Sequence, residues 1–161
     1  MKTMKEAIKV GVVGCGYWGP NLIRNLRQSA DCQLKLICDT SEERLNHMRR
    51  LYPEVAATRR FADLLNGADL DAVVIATPVR LHHEMAMAAL RAGKHVFIEK
   101  PMARTEAEAE EIVALAEREG LVVMVGHTFL FSPAVRRMKE IIDAGDIGEV
   151  QYIAAQRVNL G

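Results

Sequence analysis

The stretch Ile8-Lys9-Val10-Gly11-Val12-Val13-Gly14-Cys15-Gly16-Tyr17-Trp18-Gly19 carries a short β-branched run straight into three spaced glycines. A helical pattern follows, and then a second apolar run that ends on Asp39. The pattern predicts a strand over about 8–14, a helix over about 18–29 and a strand over about 33–39. Each part has a mechanical task in holding a dinucleotide. Gly14 permits the tight turn off the strand, Gly16 lets backbone approach a pyrophosphate, and Gly19 lets helix and strand pack closely. The helix that begins near Trp18 aims unpaired N–H groups and its positive dipole end at the phosphates. Asp39 stands twenty residues past Gly19, where a carboxylate can accept both hydroxyls of an adenosine ribose. Glycine triplets arise by chance in loops; the strand before, the helix after and the acid at this distance make this one informative. Asp39 would repel a 2′-phosphate, and neither Thr40 nor Ser41 can receive one as an arginine would; the first basic candidate is Arg44. NAD is the expected cofactor, with NADP disfavoured.

The rest of the chain keeps the alternation. Ser41 caps a helix through about Leu51, stopped by Pro53; Val55–Ala57 is a weak third strand, Phe61–Asn66 a short helix, and Ala72–Ala76 a continuous apolar strand. A helix over about 81–92 ends at Gly93, and His95–Ile98 forms a fifth strand. Thr105 with Glu108 is a capping-box start for a helix that ends at Gly120, followed by a sixth strand, Leu121–Val125. A last helix runs from Ser132 and Pro133 to Ala144. Strands alternating with helices predict an α/β fold, a doubly wound parallel sheet of Rossmann type in the order 3-2-1-4-5-6. Glu149–Val158 reads as one strand more than that sheet needs. It is expected to open a second domain, giving a dinucleotide-binding domain over 1–148 and the start of another over 149–161.

Bulk composition narrows the classes. The 161 residues are 50% hydrophobic and 26% charged with no net charge, which suits a soluble domain and lacks the basic excess of a nucleic-acid binder. No apolar run approaches a membrane span, and Met1-Lys2-Thr3-Met4-Lys5-Glu6 has no hydrophobic signal region behind its lysines. Neither nucleic acid nor membrane is an expected partner, and the cytoplasm is the expected compartment. Cys15, Cys32 and Cys38 are odd in number and show no C-x-x-C spacing, so they read as small apolar fillers.

Two further groups sit at the ends of predicted strands. Ala76-Thr77-Pro78 closes the fourth and leads to His82 and His83; ligand contacts in open α/β sheets come from such carboxyl-end loops. Thr77, Pro78 and His82 are expected on the cofactor side. His83 reads as structural, and the pair lacks the acidic company of a metal site, so no metal is expected. The fifth strand ends in Glu99-Lys100-Pro101, which puts Lys100 at the mouth of the nicotinamide crevice, able to polarise a substrate hydroxyl or carbonyl. Glu99 can pair with that lysine or with cofactor hydroxyls, and Pro101 fixes the backbone.

Taken together, Gly14-Cys15-Gly16-Tyr17-Trp18-Gly19, Asp39, Ala76-Thr77-Pro78 with His82, Gly93-Lys94-His95-Val96 and Glu99-Lys100-Pro101 closely resemble the Gfo/Idh/MocA family, the glucose–fructose oxidoreductase and inositol dehydrogenase group. The resemblance runs over essentially the whole chain. It implies an NAD(P)-dependent oxidoreductase acting on sugars, cyclitols or related molecules. Lys100 matches the family's catalytic lysine, and Gly14, Gly16, Tyr17, Trp18, Gly19, Asp39, Thr77, Pro78, His82, Glu99, Lys100 and Pro101 are the implied cofactor-binding set. The segments 126–133 and 156–161 resemble members that handle nucleotide-linked sugars, with His127 and Arg157 as candidate contacts. The resemblance also implies a second α/β domain that forms the substrate pocket, supplies further Asp and His acid/base residues and often builds a homo-oligomer. No counterpart of those acid/base residues stands before Gly161.

The expected function is hydride transfer between nicotinamide and a substrate carbinol carbon, with the piece inactive alone. A stand-alone NAD-binding module, sensing cofactor or partnering another subunit, is the alternative. Another Rossmann dehydrogenase, of aspartate-semialdehyde or homoserine type, is opposed by Glu99-Lys100-Pro101.

Overall fold

The computed structural model describes residues 6–66, 69–156 and 158. Residues Met1–Gly126 form one compact unit and His127–Gly161 another. In the first, β1 (Ile8–Val13), β2 (Cys32–Cys38), β3 (Ala56–Thr58), β4 (Ala72–Ile75), β5 (His95–Ile98) and β6 (Val123–Val125) lie in one sheet, ordered β3-β2-β1-β4-β5-β6. Every pairing is parallel, so all six carboxyl ends share one edge. The connecting helices are α1 (Gly19–Gln28), α2 (Glu42–Leu51), α3 (Ala62–Asn66), α4 (His82–Arg91) and α5 (Glu106–Glu119).

Strand side chains alternate between faces, and the apolar residues accordingly divide into two cores. Val10, Val12, Leu34, Ile37 and Val74 pack with Ile23 of α1 and with Leu45 and Met48 of α2. Val13, Leu36, Cys38, Val73, Ile75, Val96 and Ile98 pack with Leu64 of α3, Ala86, Ala89 and Leu90 of α4, and Ile112, Leu115 and Ala116 of α5. Leu34 and Leu36 fall on opposite faces, although strict alternation would put them together. The register explains it: Val10 pairs with Leu34 but Gly11 with Leu36, so Lys35 is an extra residue in a bulge.

Local chemistry starts and stops these helices as the sequence suggests, with one shift. Thr105 caps α5 by accepting from the Glu108 N–H at 3.2 Å. Glu108, however, reaches back one residue further than a capping box requires, taking the Arg104 N–H at 3.0 Å and the Arg104 guanidinium. Gly120 ends α5 with φ +65°, a left-handed conformation that costs glycine nothing.

The second unit holds a single-turn 3-10 helix, Thr128–Phe131, and α6 (Pro133–Asp143). Arg136 donates to the Leu130 carbonyl at 3.0 Å and lies over the Phe131 ring at 5.5 Å. Among the described residues, the strand expected over 149–158 does not form. Residues 149–156 and 158 belong to no strand, and Arg157 lies outside the described residues. A strand exists only where a neighbour completes its ladder, and alternation in a sequence supplies no neighbour.

Candidate functional site

The carboxyl edge of the sheet brings the predicted residues together around the loop after β1. Gly14 has φ +100°, and a Cβ there would lie 2.5 Å from the Ala76 carbonyl oxygen, so the turn packs directly on the end of β4. A Cβ on Gly19 would sit 1.9 Å from the Gly14 carbonyl oxygen, which no side chain survives. Gly16 is different. Its nearest neighbour is the Arg44 guanidinium at 3.8 Å from a hypothetical Cβ, so the space in front of it is open. Two glycines close the loop on itself, and the third leaves a cradle.

α1 begins beside that cradle. No side chain caps it at Trp18, its first turn holds no acid, and Pro20 stands within its first two positions. Pro20 has no N–H, and the Asn21 and Leu22 N–H groups already donate to the Trp18 carbonyl, so the Gly19 amide and the helix dipole are what α1 offers an anion there. Tyr17 is 94% exposed and stacks on Trp18 at a ring-centroid distance of 6.4 Å, forming an aromatic flank.

Asp39, at 6% exposure, is one of two buried polar residues among the described residues. Oδ2 accepts from the Cys15 N–H at 2.7 Å, and Oδ1 accepts from the Ser41 N–H at 2.8 Å. The carboxylate thus ties the glycine loop to the start of α2. A carboxylate offers about four acceptor sites, so each oxygen keeps one for a ribose hydroxyl. Sequence reasoning gives Asp39 to the ribose and does not foresee this architectural task. It also leaves Arg44 on a following helix without a place. Ser41 caps α2 by accepting from the Arg44 N–H at 3.4 Å, and the Arg44 guanidinium then lies 3.7 Å from Asp39 Oδ2.

Cys15 and Cys38 pack under the loop. Burial pushes the Cys15 thiol up to about 12 and the Cys38 thiol up to about 11, with the Asp39 carboxylate adding to both. Neither is a nucleophile at neutral pH, as expected for fillers.

The loops after β4 and β5 flank the glycine turn on the same edge. The Thr77 hydroxyl lies 3.6 Å from the Met85 sulfur, and Pro78 is exposed. Lys100 is exposed, and its peptide bond to Pro101 is cis. Among the described residues no hydrogen bond or ion pair occupies the Lys100 ammonium. Glu99 does not pair with it; Glu99 Oε2 accepts the Lys100 backbone N–H at 3.2 Å instead. The Glu99 carboxylate rests over Gly126, where a Cβ would come within 3.2–3.3 Å of its atoms. Gly126 thus supports Glu99, a role that its place in the 126–133 segment does not suggest.

Two histidines depart from expectation. His82, expected on the cofactor side, is 2% exposed and spends both ring nitrogens on backbone: Nε2 is 2.8 Å from the Thr77 oxygen and Nδ1 2.9 Å from the Pro101 oxygen. It has no nitrogen left for a ligand. His83 does have an acidic neighbour, Glu111 of α5, at 2.8 Å. The acid is twenty-eight residues away in sequence, and only packing of α4 on α5 brings it near. His127 is exposed in the second unit, and Arg157 is outside the described residues.

Comparison with known proteins agrees with the geometry. Residues 8–127 match the Gfo/Idh/MocA family model, described as an oxidoreductase family with an NAD-binding Rossmann fold. The chain is 31% identical over 151 residues to the dTDP-3,4-didehydro-2,6-dideoxy-alpha-D-glucose 3-reductase of Streptomyces violaceoruber, covering 93% of this chain and 44% of that one. It is 29% identical over 155 residues to the inositol 2-dehydrogenase of Salmonella paratyphi B, covering 94% and 46%. The crystal structure of scyllo-inositol dehydrogenase from Lactobacillus casei with bound NAD(H) and scyllo-inositol superposes with a TM-score of 0.83 at 28% identity, covering 89% of this chain and 43% of that one. The chain therefore spans less than half the length of each of these relatives. It belongs to the Gfo/Idh/MocA oxidoreductase family, of which residues 8–127 form the NAD-binding Rossmann domain.

Proposed function

We propose that this chain is the cofactor-binding part of a longer dehydrogenase acting on a ring hydroxyl of a sugar, cyclitol or nucleotide-linked sugar. The single observation that carries the reading is the position of Lys100. Its ammonium is unpaired among the described residues, at the carboxyl end of β5, on the edge that also holds the glycine cradle and Asp39. The names of the relatives, an inositol dehydrogenase and a nucleotide-sugar reductase, support the substrate class.

The residues suit NAD: an open glycine, an uncapped helix start and a buried carboxylate with acceptor sites to spare. Bound NAD would supply the hydride acceptor, or the donor in the reverse direction. The amides of Gly16 and the first turn of α1 would hold the pyrophosphate, and Asp39 the ribose hydroxyls. Thr77 and Pro78 would border the crevice, and Tyr17 and Trp18 would flank it. Lys100 would donate to the substrate oxygen and stabilise negative charge as it develops there. Glu99 and Pro101 would hold the lysine's backbone in place. The base that takes the hydroxyl proton would come from a second domain, which we propose begins at about residue 149. Such a domain would also exclude water, so residues 1–161 alone would bind NAD and turn over little. His127 and Arg157 are candidate substrate contacts in that longer protein. Homo-oligomerisation through the second domain and a cytoplasmic location, in keeping with three free thiols, complete the proposal.

The test is Lys100→Met in the full-length gene product, assayed against a panel of cyclitols and sugars. The expected result is a fall in turnover of at least about a hundredfold with NADH affinity retained. Equal turnover in the variant would remove Lys100 from the reaction.

A further inference from the structure

His82 stands at the first position of α4, buried, between two loops that the ligand site needs. Its Nε2 meets the carbonyl of Thr77, in the loop after β4 that packs on the glycine turn. Its Nδ1 meets the carbonyl of Pro101, one residue past Lys100. Among the described residues no other side-chain hydrogen bond joins these loops.

Both partners are carbonyl oxygens, and a carbonyl oxygen can only accept. The ring donates from its N–H to one of them and lies against the other, 2.8 and 2.9 Å from the two oxygens, so it closes the space between the loops. Neither carbonyl lies in a strand, so neither is held by the sheet ladder.

We propose that His82 is a positioning residue: its two ring nitrogens bridge the Thr77 loop and the Pro101 loop and so set where Lys100 stands relative to the cofactor crevice. The side chain touches neither cofactor nor substrate. Its effect on the cofactor rests on the function proposed above, whereas the bridge itself does not.

The experiment is nitrogen-15 NMR of the 161-residue chain near neutral pH, combined with NADH titration of the His82→Leu and His82→Gln variants. In the unaltered chain, the His82 ring N–H should be visible and protected from exchange. A His82 ring N–H that exchanges freely with water would overturn the proposal, because the ring would not then be closed between the two loops. His82→Leu should move the backbone resonances of Thr77 and Lys100 together and weaken NADH binding by about tenfold or more. His82→Gln, which can still donate to one carbonyl, should recover part of that loss. Unmoved Lys100 resonances with affinity within about twofold would also overturn it. If His82→Leu fails to fold, the ring N–H of the unaltered chain still decides. If the unaltered chain binds no NADH, the proposed function fails while the ring N–H still tests the bridge.

Discussion

Gly16 and Gly19 stand three residues apart in one loop, yet substitution at the two should fail in different ways. At Gly19 an added methyl meets the Gly14 carbonyl at 1.9 Å, and the backbone at both ends of the turn must move. Gly19→Ala should lower stability by at least about 2 kcal/mol, read as a fall in the urea midpoint. At Gly16 the nearest atom is 3.8 Å away and belongs to a mobile guanidinium, so Gly16→Ala should fold as before. The methyl would then occupy the space kept for the pyrophosphate, and NADH affinity should fall by about tenfold or more. Matched losses of stability in the two variants would contradict this division. Asp39 couples both kinds of effect. Asp39→Asn keeps one accepting oxygen but turns an NH2 toward one of the two backbone N–H groups, at a cost of about 1–3 kcal/mol for the buried donor left unpaired. The thiols give a pH prediction with a definite sign. Burial raises the folded-state values of Cys15 and Cys38 from 9.0 to about 12 and about 11, so the unfolded chain loses these protons first. Their contribution to stability is fully present below pH 9 and declines as pH rises from there toward the folded values. A disulfide-exchange reagent at pH 8 should accordingly titrate Cys32 in the native chain, and Cys15 and Cys38 only after denaturation; rapid reaction of all three would show the loop to be open.

At the scale of elements, the sequence announces whatever depends on local chemistry and hides whatever depends on a distant partner. The helix ends were readable because caps act within one turn: Ser41, Thr105 and Gly120 all perform as their residue types suggest. Thr105→Ala should therefore cost about 1 kcal/mol, measurable by chemical denaturation, while leaving NADH binding alone. The glycine loop was legible for the same reason, since each glycine answers a local backbone demand. His82 was misplaced because a histidine at a helix start is usually exposed, and nothing local shows that Pro101, nineteen residues on, will close over it. Arg44 stands in the sequence only as the first basic residue after Asp39, and Gly126 only within the 126–133 segment, because each matters through a side chain from another element, Asp39 in one case and Glu99 in the other. The segment 149–158, expected to open a second domain, forms no strand among its described residues, because a strand needs a partner to pair with.

For the molecule as a whole, the parallel order β3-β2-β1-β4-β5-β6 sets the layout of the proposed site. It sets β1 between β2 and β4, so the glycine loop emerges with Asp39 on one side and the Thr77 loop on the other. It then places Lys100 one strand beyond. The proposed cofactor residues thus stand in a row along the carboxyl edge, on the loops that follow β1, β2, β4 and β5. Such a half-site should hold cofactor without completing the reaction. A crystal of the 161-residue chain grown with NADH tests that claim most directly. The dinucleotide should lie along this edge, with its pyrophosphate against Gly16 and the first turn of α1 and its adenosine ribose hydroxyls on Asp39. A crevice filled by the Tyr17 and Trp18 side chains, or a cofactor bound anywhere else, would contradict it.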